Sequence, residues 1–119
     1  MSEMRLAAVE SRFADIIWKN EPLQSNRLAQ LAEEELEWKK STTYTILKRL
    51  CDRGIFQNQN GTVTSVISKE EFHAVQSQEF VDETFDGSLP AFVAAFSSRK
   101  KLSDSEISEL SELIERMKR

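Results

Sequence analysis

Apolar residues recur at helical spacing early in the chain. Val9, Phe13, Ile16 and Ile17 fall at i, i+4, i+7 and i+8, with Arg12, Asp15 and Lys19 on the other side, which predicts a helix over residues 5–19. Pro22 ends it and opens a short loop, because proline disfavours helical backbone in the residue before it. A second helix is expected from Ser25, placed as its N-cap, to Glu35, with Leu28, Leu31 and Ala32 facing inward. Trp38, a large apolar body beside two lysines, should anchor the next connection. A third helix over residues 40–53 should stop at Gly54, where glycine accepts the left-handed conformation that closes a helix. Thr43, Leu47, Leu50 and Cys51 share its inner face. At about 100° per residue, Ser41, Thr42, Thr45, Lys48, Arg49 and Asp52 project from the opposite side.

The period then changes from helical to alternating. Residues 55–59 and 62–68 are β-prone, the second rich in branched side chains: Thr62, Val63, Thr64, Val66 and Ile67. Between them stand Asn60 and Gly61, the pair favoured in two-residue type I′ hairpins because both positions need φ > 0. Three helices followed by a hairpin is the order of a winged helix-turn-helix. Ser68 and Glu71 form a capping-box pair and open a fourth helix to about Phe85. It should bury Phe72, Val75, Phe80 and Val81 in part. Asp86-Gly87 breaks it, Ser88 caps a short apolar helix over residues 89–96, and Ser103 with Glu106 starts a last one. That last helix carries Ile107, Leu110, Leu113, Ile114 and Met117 on one stripe. The expected class is mainly α, with a winged helix over residues 1–68 and a helical domain over residues 69–119. A segment of about 50 residues with three short helices is a poor independent domain. Its stripes either fold back on the first domain or pair with a second chain, and pairing is favoured because symmetric dimers are the commonest oligomers.

Composition narrows the function. At 119 residues, 39% apolar and 30% charged with three Gly and two Pro, the chain is globular rather than disordered or fibrous. No apolar run reaches membrane-spanning length, and the first residues, MSEMRLAAVESR, lack the apolar core of a signal peptide. A cytoplasmic protein without membrane insertion is expected. One Cys and one His, Cys51 and His73, allow no disulfide within the chain, no metal cluster and no nucleophile–base pair. Gly54, Gly61 and Gly87 are isolated, so no phosphate-cradling loop can form. Neither catalysis nor a cofactor or metal is expected.

The net charge of −4 is segregated. Residues 21–37 carry −4 and residues 69–98 carry −5, whereas residues 38–54 carry +4. An acidic protein with one basic segment can meet a polyanion if that segment forms one face and is doubled by dimerisation; a solvated helix face is the alternative. Lys39-Lys40-Ser41-Thr42-Thr43-Tyr44-Thr45, followed by Lys48-Arg49, suits a helix laid in a DNA major groove. Short hydroxyls reach phosphates or base edges without holding the helix off, a Thr methyl packs on a thymine methyl, and cations neutralise phosphates. Helix capping is the competing explanation for such a start.

The stretch WKKSTTYTILKRLCDRG, from Trp38 to Gly54, resembles the recognition-helix signature of the penicillinase-repressor family (the BlaI/MecI/CopY repressors). The likeness continues in Leu6, Glu10 and Ile17-Trp18, in Phe85-Asp86-Gly87-Ser88-Leu89, and in Leu102-Ser103 with Glu106-Ile107 and Leu110. The resemblance implies a homodimeric repressor that binds dyad-symmetric double-stranded operator DNA. It would place Thr42 and Thr45 in the major groove with Ser41 beside them, and Lys40, Lys48 and Arg49 at phosphates or bases. Lys39 and Tyr44 complete the expected DNA-binding set. Phe80, Phe85, Leu89, Phe92, Val93, Phe96, Ile107, Leu110 and Ile114 form the expected dimerisation set. In the beta-lactam systems a membrane sensor metalloprotease triggers cleavage at an Asn-Phe bond, which falls on Ala95-Phe96 here, so Phe96 matches and Ala95 does not. Family wings carry an Arg after the Gly, then aromatics and a Pro, where this chain reads Thr62-Val63-Thr64-Ser65-Val66-Ile67. The cysteine-rich ending of the copper-sensing members is replaced by Arg116-Met117-Lys118-Arg119, which excludes copper sensing by that route.

The remaining features have structural explanations. Cys51 is expected in the core, His73 in solvent, Trp18 and Trp38 as anchors, and residues 33–37 as a solvated helix end. Phe72, Phe80, Phe85, Phe92 and Phe96 suit a dimer core, with a ligand pocket as the other option. A winged helix used as a protein-interaction module without DNA binding is the rival function, motivated by the neutral wing and the negative total charge.

Overall fold

The computed structural model describes residues 6–118. The expected helix start at Arg5 and the terminal Arg119 lie outside them. Helix α1 (Ala8–Asn20) is followed by strand β1 (Leu23–Gln24), α2 (Ser25–Leu36), α3 (Lys40–Asp52), β2 (Phe56–Gln59), β3 (Thr62–Ser65), α4 (Lys69–Phe85), α5 (Leu89–Arg99) and α6 (Asp104–Met117). The three strands form one antiparallel sheet in the order β1-β3-β2. This is a winged helix followed by a helical segment.

The first core forms where the apolar stripes converge. Phe13, Ile17, Leu28, Leu50, Ile55, Phe56, Val63 and Phe72 are essentially sealed from solvent. Two indoles join its parts. The Trp38 ring lies 5.0 Å from Phe13, tying the α2–α3 connection to α1 as expected. The Trp18 ring lies 5.2 Å from Phe56 and 5.5 Å from Phe72, and its Nε1–H donates to the Ile67 carbonyl at 3.1 Å. Lys69 and Asp15 add an ion pair at 2.9 Å between α4 and α1.

The hairpin has the expected turn. Asn60 has φ of 54° and Gly61 of 89°, both left-handed, which carries the right-handed strand twist through two residues. Phe56 faces Ser65 and Gln59 faces Thr62 across the ladder. The stretch after Pro22 is more than a loop: Leu23 pairs with Val63 and Gln24 with Thr62. Glu21 secures this edge, its carboxylate accepting from the Ser65 N–H at 2.9 Å and from the Ser65 hydroxyl at 2.8 Å.

Several boundaries shift for identifiable reasons. Ser25 is the first residue of α2 and Gln24 its cap, because the Ser25 N–H is already engaged by the Gly61 carbonyl at 2.7 Å. Val9 is 42% exposed, whereas Glu10, Phe13, Ala14 and Ile17 line the buried face. The chain divides into two compact units between Glu79 and Phe80, eleven residues beyond Ser68, because Phe72 at the start of α4 belongs to the first core.

In the second unit Phe80, Phe85, Phe92 and Phe96 form a ring cluster with centroid separations of 5.6–6.2 Å. Asp86 and Gly87 make the expected break, with φ of 49° and 81°. The Ser88 hydroxyl accepts from the Ala91 N–H at 3.1 Å. Ser103 and Glu106 form the reciprocal box, at 2.9 and 3.1 Å. The Ser103 N–H, then its hydroxyl, hold the Glu106 carboxyl below its ordinary range. A carboxyl lowered by folding stabilises above its unfolded pKa, so this support for α6 is lost as pH falls through the lowered value.

Trp18→Phe keeps the ring stack but leaves the Ile67 carbonyl without its indole donor. It is expected to lower the unfolding free energy of the first unit by about 1–2 kcal/mol, read as a lower urea midpoint with unchanged slope using Trp38 fluorescence. An unchanged midpoint would show that the indole hydrogen bond contributes nothing.

Candidate nucleic-acid interface

Helix α3 turns Thr43, Leu47 and Leu50 inward, and all three are buried. With those positions fixed, Ser41, Thr42, Thr45, Lys48, Arg49 and Asp52 stand on the opposite face, and each is exposed, as are Lys39 and Lys40 at the helix start. Tyr44 is half-buried against the core, with the Lys40 ammonium 5.8 Å from its ring centroid, a cation–π distance.

The hydroxyls are not consumed in capping. The N-cap is Lys39, without a side-chain cap bond, so no side-chain cap covers the start of α3, which carries Lys39 and Lys40. A helix start of this kind favours a phosphate oxygen. The Thr45 hydroxyl donates to the Ser41 carbonyl at 2.9 Å, which occupies its proton and leaves an oxygen lone pair and the methyl for a ligand. Among the described residues, the Ser41 and Thr42 hydroxyls make no hydrogen bond.

The cations are held differently. Lys48 meets Asp52 at 3.2 Å in an exposed pair, a weak interaction in water. Arg49 reaches across to α1, where its Nη1 lies 3.3 Å from Glu10 Oε2; Arg53 Nη1 lies 4.0 Å from Glu10 Oε1. Glu10 is the buried carboxylate of this set. Its spacing to Phe13, Ala14 and Ile17 places it on the inner stripe of α1, so a charge in a line of apolar positions was the signal that could have revealed it. Glu33 and Glu37 line an open cavity of about 540 Å³ together with Trp38, Lys39 and Lys40, so carboxylates temper the cationic end of α3. Cys51 is half-buried as the helix turns toward the core. Burial, then Asp52, push its thiol pKa up, while Lys48 pulls the other way.

The wing presents Asn58, Gln59 and Asn60 at its tip, exposed and uncharged. Gln57 is tied to Thr64 at 3.1 Å.

In the second unit the expected pairing residues are largely open. Phe80, Leu89, Val93, Phe96, Ile107, Leu110 and Ile114 are 37–58% exposed; Phe85 and Phe92 are half-buried by their ring contacts. Phe92, Val93, Phe96, Leu102, Leu110 and Leu113 line a groove of about 400 Å³ edged by Glu106 and Glu109. Ala95 and Phe96 lie within α5, both exposed. Among the described residues, no three of His, Cys, Asp and Glu come together to hold a metal ion, and no helix is long and apolar enough to cross a membrane.

The sequence profile described as "Penicillinase repressor" matches residues 6–116. A penicillinase repressor of Bacillus licheniformis is 26% identical over 118 residues, covering 96% of this chain and 92% of that protein. The methicillin resistance regulatory protein MecI of Staphylococcus aureus strain Mu50 is 21% identical over 113 residues, covering 92% of each chain. MecI of Mammaliicoccus sciuri is 20% identical with the same coverage. With the profile running through the winged helix and on into α6, the chain belongs to the penicillinase repressor family, whose members are transcriptional repressors.

Proposed function

We propose that this protein is a repressor that binds double-stranded operator DNA as a homodimer, with α3 of each protomer in the major groove of one half-site. The observation that carries the reading is the outer face of α3. It combines unspent hydroxyls at Ser41 and Thr42, a Thr45 methyl, an uncapped helix start, and the cations Lys39, Lys40, Lys48 and Arg49. Thr42 and Thr45 read base edges, the lysines meet phosphates, and Arg49 meets a phosphate or a base, so discrimination rests mainly on the threonines and general affinity on the lysines. The first unit carries the DNA-binding surface and the second the dimerisation surface. The wing supplies no phosphate-neutralising charge, so α3 carries that load. A net charge of −4 requires the basic segment to act in two copies.

The dimer rests on the open apolar stripes. Contiguous exposed apolar residues mark interaction surfaces. The groove lined by Phe92, Val93, Phe96 and Leu110 has the chemistry to accept a partner's apolar helix, an isologous arrangement in which each copy covers the other. Inactivation by a metalloprotease sensor belongs to the same reading. A cut between Ala95 and Phe96 would part Phe92 and Val93 from Phe96 and α6, dividing the groove.

Three measurements test this. Wild type should bind an operator duplex with log K against log salt falling at a slope between about −3.5 and −7, as four to eight neutralised phosphates require; no binding at low salt would transfer the assignment to a protein-interaction module, which the cation-free wing favours. Thr42→Ala and Thr45→Ala should each cost about 1–3 kcal/mol on the operator with little change on unrelated DNA. Leu110→Asp, at a position open in the single chain, should turn a micromolar dimer into a monomer by sedimentation while the first unit stays folded. A wild type that sediments as a monomer at that concentration would remove the dimer from the proposal.

A further inference from the structure

We infer that Glu10 is a positioning residue of the DNA interface: it holds the Arg49 guanidinium in a set orientation before DNA arrives. The inference rests on the DNA-binding reading above. Glu10 lies on α1, outside the helix that would enter the groove, and is the buried charged residue among those described. Its two oxygens have separate tasks. Oε1 accepts the Ala7 N–H at 3.1 Å, which fixes the carboxylate to the backbone at the start of α1, and faces Arg53 Nη1 at 4.0 Å. Oε2 meets Arg49 Nη1 at 3.3 Å. A carboxylate anchored at one oxygen is a stationary partner, unlike Asp52, which is itself a mobile exposed side chain paired with exposed Lys48.

Arg49 keeps a free edge. Its side chain is 50% exposed, and a guanidinium carries five N–H donors in a rigid plane. Glu10 engages one nitrogen, leaving others for a phosphate or a base. A long side chain ordered in advance loses less freedom on binding, so its contribution depends on direction as well as charge. The same carboxylate offsets the Arg49 charge and thereby weakens attraction to DNA of any sequence. Lys48 supplies charge without direction, whereas Arg49 supplies a directed contact. Glu10 therefore raises the ratio of operator to non-operator affinity rather than affinity itself.

The test uses the full chain and fluorescence anisotropy on two duplexes: a site selected by the wild-type protein from a random pool, and its scrambled counterpart. Glu10→Gln should lower the operator-to-scrambled affinity ratio about tenfold, with binding to the scrambled duplex unchanged or tighter. Arg49→Lys, which preserves the charge, should lower the ratio similarly without altering the salt slope. The double variant should be no worse than the poorer single, as expected for residues acting through one another. A ratio that stays within about twofold of wild type in folded Glu10→Gln or in Arg49→Lys, or additive losses in the double, overturns the inference. A purely structural role for Glu10 would lower thermal stability and leave the ratio intact. If Glu10→Gln fails to fold by circular dichroism, Arg49→Lys decides alone, since a retained ratio there overturns the inference. Wild type that binds neither duplex refutes the DNA-binding reading itself, a different result from binding with an unaltered ratio.

Discussion

The rotational setting of α3 governs the rest of the structure. Once Thr43, Leu47 and Leu50 are buried, a helix has no freedom left to choose which residues meet solvent. The core made by α1, α2 and the sheet therefore selects the surface from the opposite side of the helix. Trp38 on Phe13 fixes where α3 begins, and Gly54, with φ of 80°, lets the chain leave toward β2 as soon as α3 ends. Between those two points the positions of Ser41, Thr42, Thr45, Lys48 and Arg49 follow from helical geometry.

Local chemistry made much of this legible in advance. Asn60-Gly61, Ser88, Ser103 with Glu106, and Gly54 each act within three or four residues of chain, so their geometry follows from residue type at fixed spacing. The outer face of α3 was legible for the same reason, being the complement of an apolar stripe. What escaped depends on partners distant in sequence. Strand β1 is two residues long and exists through Val63 and Thr62, about forty residues away. Glu10 is sheltered because Arg49 lies opposite, which no window along α1 contains. Phe72 joins the first core through Trp18, so the structural division falls inside a continuous helix where the sequence shows no break. Tyr44 reads as part of the outward set but is drawn half inside, since a large ring gains more from the core than from water.

The two units solve the problem of a small core in opposite ways. The first closes on itself with aromatic pairs and ties its periphery with carboxylates: Glu21 on Ser65, Asp15 on Lys69, Glu10 on Arg49. The second gathers four phenylalanines and still leaves a full helical stripe of α6 in water. Apolar surface left open at that scale is costly in a lone chain and productive once covered. Glu106 and Glu109 edge the groove against that stripe, which keeps the open face compatible with solution.

Cys51 sits where α3 turns from water to core, and its thiol is held in the protonated form by burial and by Asp52. Thiolate is the species that reacts, so this half-buried sulfur is alkylated more slowly at neutral pH than an ordinary surface thiol. Loosening of α3 exposes and deprotonates it more readily, so a rise in its labelling rate reports on that helix from one residue along from Leu50 in the core and two from Arg49 on the surface.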